Sequence, residues 1–249
     1  MKKNFLLWDL DDTLIPNQMH YELSKLAFAR YMVSLYGIKA PNTDIILAKG
    51  VEIDSRRYKE MQSNEDKGLA KDRFPDSMVI TFKELCKEYR LEYDKYIIDK
   101  VKGIGHYAFD EDMWRYLGML QGAEEVLEFC RDEGCIQYLL TKGDPRVQDR
   151  KVEAFGLEEY FGDNIKTVWA KTPETFASVF GTHPRNWCYA IGDSTSDFKP
   201  YPEVTGIHIP KMSWEGQRQI DKGNEGIEQK VIVLDSIMDI KKRYGEIFD

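Results

Sequence analysis

The spacing of apolar and polar residues changes period several times along the chain, and each change marks an element. Residues 5–8, Phe-Leu-Leu-Trp, are a brief run of bulky apolar side chains bounded by polar ones, the pattern of a parallel strand covered on both faces. From 17 to 35 the period turns helical, with Phe28, Tyr31, Met32, Leu35 and Tyr36 on one stripe until Gly37. Residues 38–76 are rich in charge and weakly periodic, so the pair Arg56-Arg57 and the stretch 63–74 are expected at an exposed or mobile surface. Pro75-Asp76-Ser77 reads as a helix start leading to Met78, Phe82, Leu85, Cys86 and Tyr89. Tyr93, Tyr96, Ile97 and Val101 begin another helix.

Strand and helix alternate from Ala123 onward. Ala123, Val126, Leu127 and Cys130 form a helical stripe ending near Gly134, and 136–140 is a second strand. Pro145 suits the first turn of a helix that Gly156 closes. Strands are predicted at 165–169, 187–191, 204–209 and 231–234, with a closing helix over 236–244. Strands separated by helices imply right-handed crossovers, and hence a doubly wound α/β fold with a parallel sheet. One helical block, 16–118, interrupts it after the first strand, leaving 1–15 and 119–249 as the core.

Composition narrows the classes of function. A chain of 249 residues, 42% hydrophobic and 31% charged, is long enough for a sizeable core. A net charge of -8 argues against nucleic-acid or anionic-membrane partners, although a bound divalent cation would still let an acidic site take an anion. Cys86, Cys130, Cys135 and Cys188 lack metal-ligand spacing and read as free thiols in a reducing compartment. The apolar run after Lys2-Lys3 stops at Asp9, too short for a signal peptide or a membrane span, so a cytoplasmic protein, monomer or homodimer, is expected.

The candidate chemistry lies where strands end. Asp9-Leu10-Asp11-Asp12-Thr13 follows the first strand, Thr141-Lys142 closes the second, Lys171 comes just after the third, and Gly192-Asp193-Ser194-Thr195-Ser196-Asp197 follows the fourth. Open α/β sheets bind ligands in the crevice outside these carboxyl ends. Each motif alone has a plainer reading: a solvated acidic loop, a helix N-cap at Thr141, a solvated lysine at a helix start. Lys166 is a competing lysine, but it opens its strand and so points away from this edge.

In order and together, these motifs resemble those of the haloacid dehalogenase-like hydrolase superfamily. The resemblance covers residues 4–15 and 119–210, and the helical block matches in position and class the family's cap of the first type. It implies a Rossmann-like core with Asp9 as nucleophile, Asp11 as general acid and base, and Thr141 and Lys171 completing the catalytic set. Asp11 and the backbone after it, at Asp12, together with Thr141, Lys142 and Lys171, would bind phosphate. Mg²⁺ would be held by Asp9, the Asp11 carbonyl and Asp193, with Asp197 binding through water or orienting Asp193. The chemistry fits: a carboxylate nucleophile splits hydrolysis into two steps, a second acid protonates the leaving alcohol, and a hard cation bridges the anions.

The expected function is therefore a Mg²⁺-dependent phosphatase acting on a small phosphorylated metabolite through an aspartyl-phosphate. Asp11 separates it from the related carbon–halogen hydrolases and phosphonatases, where this acid is absent. A sugar phosphomutase on the same site, or a non-catalytic metal- and phosphate-binding member of the fold, are the alternatives. The chain departs from the pattern in having Lys171-Thr172-Pro173 where Lys-Pro is common, and Gln121-Gly122 where Pro-Gly is common. The helical block is expected to act as a lid. Arg56, Arg57, Arg73 and His106 are conceivable substrate contacts, with a solvated surface the more ordinary reading, and Tyr31, Tyr93 and Tyr96 are read as core of the block.

Overall fold

A computed structural model describes residues 3–62, 67–211 and 229–248. Its contacts divide the chain into two compact units, Met1–Pro16 with Leu117–Asp249, and Asn17–Tyr116. The first contains a six-stranded, wholly parallel sheet: β1 (Phe5–Trp8), β2 (Ile136–Lys142), β3 (Ile165–Val168), β4 (Cys188–Gly192), β5 (Thr205–His208) and β6 (Val231–Val233), in the spatial order β3-β2-β1-β4-β5-β6. This is the doubly wound α/β sheet expected from the alternation of elements. Strand order reverses between β1 and β4, and at such a switch point the crossovers diverge and leave a crevice.

The apolar run of β1 is explained by its position. Leu6 and Trp8 pack into one buried cluster with Leu139, Tyr189 and Ile191, whereas Phe5 and Leu7 pack into the other with Leu140, Cys188 and Ala190. Successive side chains point to opposite faces, and both faces are covered, so every position must be apolar. Trp8 carries the one polar handle in that strand, and its indole N–H donates to Gln137 Oε1 at 3.0 Å, while Gln137 Nε2 donates to the Leu127 carbonyl at 3.0 Å. A pair this buried is tolerated because the indole and both atoms of the amide have partners.

The second unit carries α1 (Asn17–Tyr36), α2 (Thr43–Gln62), α3 (Arg73–Tyr89), α4 (Lys95–His106) and most of α5 (Glu111–Leu117). Here α2 corrects the sequence reading. The charged stretch forms a helix of 20 residues that buries only Ile46 and Ile53, so its apolar seam is too narrow to show as a period. Residues 63–66 of the stretch expected at the surface lie outside the described residues, but Arg73 and Phe74 are buried. Tyr93 and Tyr96, read as core, are exposed.

The remaining helices of the first unit are α6 (Ala123–Asp132), α7 (Pro145–Ala154), α8 (Glu158–Phe161), α9 (Pro173–Phe180), α10 (Met238–Lys242) and α11 (Tyr244–Phe248). The single closing helix expected over 236–244 is thus two short ones, shifted toward the C-terminus. Among the described residues no helix is long and apolar enough to cross a membrane.

Candidate active site

Asp9 is the first residue past β1, and its N–H donates to the Ile191 carbonyl at 2.9 Å, extending the pairing with β4 by one step. The loop that follows is anchored by the fully buried Leu10, Leu14 and Ile15, with the N–H groups of Leu14 and Ile15 both donating to the Leu10 carbonyl. Asp12 takes φ 61°, a left-handed conformation that Asp tolerates better than most residues. The turn brings Thr13 back to the strand end. Its hydroxyl donates to Asp9 Oδ2 at 3.2 Å and accepts the Asp193 N–H at 3.0 Å, so one side chain joins the loops after β1 and β4.

Lys171 reaches the same point from beyond β3. Its Nζ lies 2.6 Å from Asp9 Oδ1 and 2.8 Å from Asp197 Oδ1. The intervening Thr172 does not displace it, because Thr172 caps α9: Thr172 and Thr175 exchange side-chain and backbone hydrogen bonds, with Pro173 in the first turn. The lysine is therefore held at a helix entrance fixed on both sides.

Asp193 and Asp197 come from the loop after β4. The Asp197 Oδ2 accepts the Ser194 N–H at 3.0 Å, and the Asp193 carbonyl accepts from His208 Nε2 at 2.9 Å, which puts a proton on that ring nitrogen. Gly192 is required by this packing. A Cβ there would fall 2.3 Å from Asp197 Oδ2 and 2.4 Å from its Cβ.

Asp9, Asp193 and Asp197 each offer a carboxylate oxygen, all within 4.8 Å of one another. Burial, then the Asp197 charge, pushes Asp9 well above the ordinary carboxyl range, against the pull of Lys171. Asp193 is pushed up to about 7, by burial first and Asp197 second, with Lys211 opposing. Burial works against the Lys171 ammonium, yet Asp197 and Asp9 outweigh it and raise its pKa. Lys211 Nζ adds a contact to Asp12 Oδ2 at 3.3 Å and to Asp193 Oδ2 at 3.4 Å. A cluster of hard oxygen donors with more negative charge than it can hold comfortably is chemically suited to Mg²⁺.

Asp11 lies beside this cluster but turns to α7. Its Oδ1 accepts from Lys151 Nζ at 2.7 Å and its Oδ2 from Gln148 Nε2 at 3.0 Å. The Gln148 amide also reaches Thr141 Oγ1 at 2.8 Å and the Lys142 carbonyl at 3.0 Å. Thr141 is fully buried and accepts this bond, so its own O–H still has a proton to give.

The structure thus brings Asp9, Lys171, Asp193 and Asp197 together, with Asp11 and Thr141 linked through Gln148. Lys166 donates instead to Ser178 Oγ at 2.6 Å. Of the arginines considered as substrate contacts, Arg56 pairs with Glu84 at 3.1 Å, and the buried Arg73 pairs with Asp54. Arg73 is therefore part of the helical unit's interior, not a solvated side chain. Sequence reasoning quoted Thr13 in the first motif without giving it a role, and did not single out Gln148, Lys151, His208 or Lys211. For Gln148 and Lys151 a signal existed: they share the buried stripe of α7 with Val147 and Val152, where an amphipathic helix ordinarily places apolar residues.

A search of curated proteins found no match. Solved structures of the same fold include a haloacid dehalogenase-like family hydrolase from Xanthomonas campestris, 18% identical, TM-score 0.67, with 99% of this chain and 96% of that one covered. Another is the HAD-hydrolase YfnB from Bacillus subtilis, solved bound to magnesium, at 17% identity and TM-score 0.59 over 98% of this chain and 100% of that one. A third, described as a predicted phosphoglycolate phosphatase from Haemophilus somnus, is 15% identical with TM-score 0.57, covering 98% and 99% of the two chains. At such identities they establish the fold alone. The sequence model of haloacid dehalogenase-like hydrolases, however, matches residues 4–197, and the chain belongs to that family.

Proposed function

We propose that this protein is a Mg²⁺-dependent phosphatase that hydrolyses a small phosphomonoester through a phosphorylated Asp9. Asp11 is the observation that carries the reading. It stands two residues beyond the nucleophile, on a loop anchored by buried Leu10 and Leu14, with 24% of its side chain exposed. Hydrolysis of a carbon–halogen bond expels a halide that needs no proton, whereas an alkoxide leaving phosphorus does.

An Asp9 carboxylate oxygen attacks phosphorus as the bond from phosphorus to the ester oxygen breaks, and Asp11 gives its proton to the departing alkoxide. The Asp11 carboxylate then takes a proton from water, whose oxygen attacks the phosphoryl group. The bond from phosphorus to Asp9 breaks, releasing inorganic phosphate and restoring both acids. Lys171 neutralises charge on Asp9 and the phosphoryl oxygens, while Thr141 and the backbone around Asp12 and Lys142 donate hydrogen bonds to them. Asp9, the Asp11 carbonyl and Asp193 would hold the cation, with Asp197 behind them fixing Lys171 and the Ser194 backbone. Bound there, Mg²⁺ would offset the repulsion between carboxylate and phosphate. By its place in the sequence, inserted after the first strand, the helical unit Asn17–Tyr116 would serve as a lid.

The test is phosphate release from a panel of phosphomonoesters, p-nitrophenyl phosphate included, with and without Mg²⁺. Metal-dependent release that Asp9→Asn abolishes is expected. Isomerised sugar phosphate instead would indicate a phosphomutase, and no turnover of any substrate would indicate a binding protein.

A further inference from the structure

We propose that Lys151 and Gln148 are positioning residues that aim the Asp11 carboxyl group at the leaving oxygen; this rests on the phosphatase reading above. Asp11 has a well-fixed backbone, since Asp12 N–H donates to the Ile15 carbonyl at 2.8 Å and residues 11 and 15 form an isolated bridge. Its side chain nevertheless has two rotatable bonds and is partly exposed, so the loop alone does not determine where the carboxyl points. Both of its oxygens are instead bound from one side by one helix, Oδ1 by Lys151 and Oδ2 by Gln148.

Those donors are unusually well anchored. Lys151 and Gln148 are 3% and 2% exposed, and long polar side chains this buried keep few rotamers. They sit on the first turns of α7, where the Asp144 side chain accepts the Arg146 N–H at 3.0 Å and Pro145 occupies the first turn. Gly143 closes over the amide: a Cβ there would come within 2.9 Å of Gln148 Cγ and Nε2. Gln148 also ties Asp11 to the Thr141 hydroxyl, so one buried amide bridges the acid and Thr141. Precise placement matters, because a misplacement of about 1 Å in a reacting group costs on the order of 10²-fold in rate.

The experiment uses full-length wild type, Lys151→Met and Gln148→Met with Mg²⁺, and compares kcat/KM for phenyl phosphate and p-nitrophenyl phosphate. These probes share an aryl phosphate core, and the para nitro group of one lessens how much its leaving oxygen needs a proton. Taking the ratio relative to wild type cancels their difference in size, and kcat/KM reports the step in which that oxygen leaves. Loss of acid placement should lower the ratio of phenyl to p-nitrophenyl turnover by ~10-fold or more in Lys151→Met, and by less in Gln148→Met, which keeps one donor. Half-saturation by Mg²⁺ should stay at the wild-type value, and Lys166→Met should leave the ratio unchanged. Equal losses on both substrates, or none, in an active enzyme overturn the positioning role while the phosphatase reading stands. A wild type that releases phosphate from neither substrate overturns both. If Lys151→Met fails to fold, Gln148→Met decides alone, since it removes a neutral amide and leaves the ion pair in place.

Discussion

Lys171 donates to Asp9 across 2.6 Å, and their side chains are only 5% and 9% exposed. The same ammonium meets Asp197 at 2.8 Å, so a single cation holds two buried carboxylates in place. Lys171→Met leaves both without it. Removing one partner of a buried pair costs about 3–5 kcal/mol, and loss of a group that stabilises developing charge costs on the order of 10²–10³ in kcat. Thermal unfolding without metal and phosphate-release assays with it should show both losses. A variant as stable and active as wild type would remove Lys171 from the site.

If Asp193 holds the cation, metal binding must depend on pH. Burial, reinforced by Asp197, raises its carboxyl from the ordinary 3.8 to about 7. The folded protein therefore keeps a proton that the unfolded chain releases, and the associated stability is whole below pH 3.8 and is lost as pH rises through 7. Metal-free protein should melt at a lower temperature at about pH 8 than at about pH 5, and Mg²⁺ should raise the melting temperature more at the higher pH, because binding displaces that proton. An equal Mg²⁺ effect at both values would count against Asp193 as a ligand.

Gly192 and Gly103 should respond oppositely to alanine. At Gly192 the new Cβ would collide with the Asp197 side chain, forcing that carboxylate off Lys171, so activity should collapse and stability fall by about 1–3 kcal/mol. Gly103 lies exposed in α4 with nothing within 4 Å of a Cβ, and alanine there should stabilise the protein by about 0.5–1 kcal/mol. Calorimetry on the two variants checks both signs.

Arg73→Met separates interior packing from substrate contact. The guanidinium is buried against Asp54 and lies over the Tyr58 ring at 5.6 Å. The variant should lose about 1–3 kcal/mol of stability while KM for p-nitrophenyl phosphate stays unchanged. A raised KM with unchanged stability would restore Arg73 as a substrate contact.

Much of this protein was legible in its sequence because the relevant signals are local. A short apolar run with no polar alternation, as in residues 5–8, is the pattern of a strand covered on both faces, and β1 lies inside the sheet between β2 and β4. The motifs at the ends of β1, β2 and β4 were readable because each is contiguous. The helix α2 was not, since two buried isoleucines in twenty residues leave almost no periodic trace. Arg73 misled for a related reason: a charge in a weakly periodic stretch looks solvated until its partner, Asp54, folds back from 19 residues away.

By itself, the sequence determined the order of the strands and the residue types at each strand end, because hydrophobic period and turn chemistry act over a few residues. Only the tertiary structure decided the partnerships: Thr13 between Asp9 and Asp193, Lys171 between Asp9 and Asp197, and Lys151 with Gln148 on Asp11. Those contacts join residues up to 180 positions apart. Side-chain hydrogen bonds and ion pairs depend on distances of about 3 Å, which no linear pattern encodes, and they exist here because the parallel sheet carries four strand ends to one edge.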